Sequence, residues 1–96
     1  MRPSEALEHH RHTIRRLAES RRAANPRVFG STARGEDVEG SDLDILVDTI
    51  PGTTLFDLGG LFQDLQATLG VPVDVVTIRE LPPEIREQVL AEAQPI

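Results

Sequence analysis

The sequence predicts a small α/β domain, a mixed sheet flanked by helices, and three observations carry that reading. Apolar residues recur at helical spacing in three separated stretches. Between them lie short runs rich in Val, Ile and Leu with the character of strands. Turn residues mark each change of period, at Asn25-Pro26, Gly30, Gly40, Pro51-Gly52, Gly70 and Pro83. With no internal repeat, low-complexity tract or linker, residues 1–96 read as one unit.

The first element is a helix. Ser4 is placed to cap it, Glu5 and Glu8 lie in its first turn, Arg21 and Arg22 in its last, and Asn25-Pro26 stops it. Leu7, Ile14, Leu17 and Ala18 give it one thin apolar stripe. Arg27-Val28-Phe29 predicts a short strand running into Gly30-Ser31, after which Thr32-Ala33-Arg34 can begin a helical turn. Leu43 to Val47 is the clearest strand. Thr53 to Leu69 repeats apolar residues at 55, 58, 62, 65 and 69 and meets a Gly stop at Gly70. The Gly59-Gly60 pair inside it costs roughly 1 kcal/mol per Gly relative to Ala, which predicts a close approach or a bend there. Val73 to Thr77 is a third strand. Pro83 to Ala93 closes the chain as a helix with Ile85, Val89, Leu90 and Ala93 on one side.

Composition excludes several classes of function. Cysteine is absent, so any metal is held by oxygen ligands or by one of three histidines, and the composition suits a reducing cytoplasm. No apolar run approaches the ~18 residues of a membrane span. The net charge is −6 and Lys is absent, a mean field that repels nucleic acid polymers rather than gathering them.

The informative stretch is Gly30-Ser31, ten residues, then Asp42-Leu43-Asp44. Residues two apart on a strand share a face, so Asp42 and Asp44 project together from an apolar ribbon. Side by side, two anions call for a cation, and Mg²⁺ takes carboxylate oxygens while leaving positions for water and phosphate. Asp74 interrupts Val73, Val75 and Val76 in the same way. If its strand pairs beside residues 43–47, the three acids can hold two Mg²⁺ ions about 3.5–4 Å apart, the arrangement used in phosphoryl chemistry. Gly30 admits a phosphate to the backbone, Ser31 offers a hydroxyl and helix-start N–H groups, and Arg34 can add a planar contact to phosphate or pair with Glu36, Asp37 or Asp48 instead.

Gly-Ser followed by Asp-x-Asp and a third strand Asp resembles the DNA polymerase beta superfamily of nucleotidyltransferases. The fuller strings Phe29-Gly-Ser-Thr-Ala-Arg-Gly35 and Ser41-Asp-Leu-Asp-Ile-Leu-Val-Asp48 resemble the minimal nucleotidyltransferases, antitoxin-type partners of HEPN ribonuclease toxins. The similarity covers essentially the whole chain. It implies a nucleotidyltransferase fold, with ATP as substrate, Asp42, Asp44 and Asp74 on Mg²⁺, and Gly30 and Ser31 on the β- and γ-phosphates. It implies further that Asp74 receives the acceptor's proton and that AMP lands on a tyrosine of a HEPN toxin. Two rivals stand beside that reading, an antitoxin acting by binding alone and an enzyme modifying a small hydroxylated molecule. His9, His10 and His12 read as a solvated surface, since only His9 and His12 share a helix face, and Asp48 lies too far along its strand to share the cations.

Overall fold

The computed structural model describes residues 1–96. Its elements run α1 (Pro3–Ser20), β1 (Ala23–Phe29), α2 (Gly30–Ala33), β2 (Leu43–Thr49), α3 (Leu55–Leu69), β3 (Val73–Val76), a 3-10 turn (Ile78–Glu80), α4 (Pro83–Glu92) and β4 (Gln94–Pro95). The four strands form one mixed sheet in the order β3-β2-β1-β4. β1 pairs antiparallel with both β2 and β4, and β2 pairs parallel with β3 through the crossover helix α3. No helix is long and apolar enough to cross a membrane.

Strand alternation divides the core in two. Val28, Leu43, Ile45, Val47 and Val73 turn to one face, where they meet Ala6, Leu7, Ile14 and Ala18 of α1 and Leu61, Leu65 and Leu69 of α3. Phe29 and Leu46 turn to the other, where they meet buried Leu81 and Val89 and half-buried Val76, Ile78 and Ala93. Asp44, one residue from Ile45, therefore lies on this second, thinly covered face.

Several boundaries differ from the sequence expectation. Helix α1 has its N-cap at Arg2, two residues before the expected Ser4, with Pro3 in the first turn, and the Ser4 N–H donates to Asp37 Oδ2 at 2.8 Å. A buried carboxylate from a distant loop thus satisfies an orphan amide at the helix start, where the dipole favours negative charge. That amide holds the Asp37 carboxyl below its ordinary pKa. The helix ends at Ser20, leaving Arg21 and Arg22 beyond its last turn, with Arg22 at φ 55. Asn25-Pro26 stops nothing. It lies inside β1 at a bulge between Ala24 and Arg27, with Asn25 at φ 56, a conformation Asn tolerates. Asp48 fastens that bulge, accepting from Asn25 at 3.2 Å and from Arg27 at 2.8 Å.

In α3 the buried stripe is Leu61, Leu65 and Leu69 with half-buried Leu58, whereas Leu55 and Phe62 face solvent. Positions 61 and 62 both fit a spacing of three and four from their neighbours, and the pattern alone does not choose between them. Gly60 is explained neither by a backbone approach nor by a bend. The Arg21 guanidinium lies across it, 2.5 Å from where a Cβ would stand, and reaches Asp64 at 2.9 Å. Gly70 ends α3 in the left-handed conformation, φ 70, as its stop position predicts. On α4, Val89 is buried, while Ile85 and Leu90 remain exposed. The closing strand β4 is not marked in the sequence pattern.

Candidate active site

The parallel register of β2 and β3 places Asp44 directly beside Asp74, with Leu43 beside Val73 and Ile45 beside Val75. Paired residues on adjacent strands share a face, so both carboxylates project to the thin side of the sheet. Asp42 precedes β2 by one residue and is exposed, as is Asp74 on the edge strand. Asp44 is partly buried between them, and burial, then Asp74, then Asp42 push its pKa up to about 6. Three acids crowd one edge, and the innermost resists ionisation.

Gly30 sits over Asp44. Phe29 is the register partner of Asp44, and the chain turns immediately afterward through Gly30 at φ 72. Any Cβ at Gly30 would collide with the Asp44 carboxylate, so glycine is required here both for the left-handed turn and for the approach. The helical turn α2 then starts without a capping hydrogen bond from the side chain of its N-cap residue, Phe29. Ser31 enters the hydrogen-bond network through its carbonyl, which accepts from the Glu36 N–H at 2.8 Å, and its hydroxyl has no protein partner.

Two positions behave differently from expectation. The Gly30 N–H, expected to meet a phosphate, donates instead to Glu92 Oε2 at 2.5 Å. Arg34 takes the ion-pairing alternative, with Nε on Glu36 at 2.7 Å and Nη1 on both Glu92 oxygens at 3.1 and 3.0 Å. Its Nη2 has no protein acceptor. Sequence reading missed Glu92 altogether. A signal was present, because a carboxylate in the last turn of a helix opposes the dipole and calls for a cationic or N–H partner.

The donor set suits a hard cation. It contains carboxylate oxygens only, mutually repelling, on a face open to solvent. No three of these side chains come close enough together to hold a metal ion by themselves, so water and substrate oxygens would have to complete the shell of any ion bound there.

Known proteins of the same kind were found by sequence and by structure. The chain is 45% identical over 65 residues to the protein adenylyltransferase MntA of Thermococcus cleftensis, covering 68% of this chain and 66% of that protein. A solved chain described as a "putative minimal nucleotidyltransferase" superposes with a TM-score of 0.86 at 47% identity, covering 97% of this chain and 95% of that one. The fold is also that of a toxin-antitoxin crystal structure with AMP-PNP, with a TM-score of 0.73 at 24% identity over 88% of this chain and 69% of that one. Residues 11–96 match the nucleotidyltransferase domain model, and the chain belongs to that family of enzymes.

Proposed function

We propose that this nucleotidyltransferase is Mg²⁺-dependent and moves AMP from ATP onto a hydroxyl of a partner protein, a tyrosine of a HEPN-type ribonuclease toxin. The observation that carries the site is the pairing of Asp44 with Asp74 beneath a glycine whose missing Cβ makes room for the Asp44 carboxylate. Support for a protein acceptor comes from the relative named a protein adenylyltransferase. The toxin rests on the motif resemblance at residues 29–35 and 41–48. The lack of cysteine suits the ATP-rich, reducing cytoplasm.

Asp42, Asp44 and Asp74 would hold two Mg²⁺ ions, which when bound neutralise triphosphate charge and orient it. The free Ser31 hydroxyl and the N–H groups of α2 after Gly30 bind the β- and γ-phosphates, and Arg34 Nη2 adds a charge-assisted contact. Gly30 contributes its turn and its missing Cβ rather than its N–H, which Glu92 holds. The acceptor oxygen bonds to the α-phosphorus as the bond to pyrophosphate breaks in line. Its proton passes to Asp74, the exposed acid on the edge strand. Catalysis is then mostly positioning and charge.

Incubation of the protein with Mg-ATP and the product of its neighbouring gene tests this directly. Intact-mass measurement should show one AMP added to the partner by the wild type and none by Asp44→Asn. Full neutralisation of the partner with no adduct would leave binding alone as the activity.

A further inference from the structure

From the contacts around α2 we infer that Glu92 is a positioning residue of the nucleotide site: a carboxylate on α4 that sets the Gly30 turn and aims the Arg34 guanidinium. The inference rests on the nucleotide-site reading proposed above.

Glu92 is reached across 62 residues of sequence from Gly30 and 58 from Arg34, so this is a tertiary tie rather than a local one. Its side chain is 15% exposed, against 62% for Glu36, the other carboxylate on Arg34. One carboxylate thus holds a backbone N–H at the start of α2 and a guanidinium at its end. Two residues further on, the Gln94 amide donates to the Ala33 carbonyl at 3.4 Å, so the same segment braces the turn at both ends.

Glu92 is itself anchored. Val89, one turn earlier on the same face of α4, is buried against Phe29 and Leu46. Phe29 immediately precedes the Gly30 turn. An acid at this end of a helix opposes the dipole, and Arg34 with the Gly30 N–H offsets that cost.

The division of donors points to positioning rather than to occupation of a phosphate position. Glu92 and Glu36 take Arg34 Nη1 and Nε, and Glu92 takes the Gly30 N–H. Arg34 Nη2 and the Ser31 hydroxyl stay free of protein partners. The donors that shape the loop are used, and those suited to phosphate are left.

The test measures Mg-ATP affinity by calorimetry for wild type, Glu92→Gln and Glu92→Ala, alongside melting temperature without nucleotide. Transfer kinetics are then resolved into KM and kcat. Loss of the brace should weaken Mg-ATP binding about tenfold in Glu92→Ala, the scale on which outer partners tune a site. Glu92→Gln, whose amide oxygen still accepts from Gly30 but carries no charge for Arg34, should fall between. KM for ATP should rise by a similar factor, with kcat at saturation changed less than about threefold. Tighter binding in either variant would show that the carboxylate competes with phosphate and would overturn the inference. Unchanged affinity with a lowered melting temperature would reduce Glu92 to a structural contact and overturn it equally. A wild type that binds no Mg-ATP would overturn the nucleotide-site reading itself, and this inference with it.

Discussion

One face of the sheet, beneath α1 and α3, buries a connected cluster of 15 apolar residues, while the face beneath α4 and the 3-10 turn buries four. The same strands supply both. On β2, Leu43, Ile45 and Val47 belong to the large cluster, and Asp44, Leu46 and Asp48 alternate with them on the opposite face, Leu46 within the small cluster. Because side chains alternate along a strand, a single heptapeptide stores stability on one side and presents carboxylates on the other. The thick face tolerates the acids by carrying most of the apolar burial, and the thin face leaves room for a ligand.

Residues one apart on β2 should therefore respond oppositely to substitution. Ile45→Ala removes a fully buried side chain from the thick face and should destabilise the protein by about 2–5 kcal/mol, read by denaturant unfolding. The folded fraction should still bind Mg-ATP. A loss below 1 kcal/mol would mean that the large cluster does not carry the stability assigned to it.

On the thin face, Gly30→Ala forces an L side chain into the left-handed region, at a cost of roughly 1–2 kcal/mol, and drives its Cβ into the Asp44 carboxylate. Mg-ATP binding should vanish while α1 and α3 keep their circular dichroism. Retained binding would show that the approach of Gly30 to Asp44 is not needed. Asp37→Ala, which uncaps α1, should cost about 0.5–2 kcal/mol and leave nucleotide affinity unchanged. The Asp37 pKa is lowered in the folded state, so its contribution is present above the ordinary carboxylate range and lost as pH falls from there through the lowered folded value. A melting temperature equal to the wild type's at neutral pH would remove Asp37 as the cap. The smallest effect is expected at Gly59, beside which a Cβ meets nothing, so Gly59→Ala should stabilise α3 by up to about 1 kcal/mol.

Much of this contrast was legible in the sequence. The Asp-x-Asp spacing, the apolar residue between, and Asp74 inside a Val run were enough to anticipate Asp44 beside Asp74, because strand alternation is a strict rule. Helix faces were less legible, since Leu61 and Phe62 both satisfy the spacing in α3, and only packing in the large core cluster selects Leu61. Tertiary ties were not legible. The Asp37 cap, the Asp48 staple on the β1 bulge and the Glu92 brace each join residues at least 21 apart in sequence, and no local pattern marks their partners. Arg34 shows the limit most clearly, since its sequence allows phosphate or a carboxylate, and the fold gives it two carboxylates with one nitrogen left over.

The central claim, that the acids belong to ligand binding and not to stability, is tested by melting wild type and Asp44→Asn with and without Mg-ATP across pH. The Asp44 pKa is raised to about 6, so without metal the folded state holds a proton that the unfolded chain releases, and stability falls as pH rises from about 4 to 6. At pH 7.5 in chelator the mutant should therefore melt no lower than the wild type, and a few degrees higher if the charge costs about what its burial implies. Saturating Mg-ATP, at a hundredfold excess over Kd, should raise wild-type stability by about 2.7 kcal/mol, an effect that fades below pH 6 and is missing in Asp44→Asn. A mutant that melts well below the wild type in chelator, or that keeps the full Mg-ATP shift, would contradict the account.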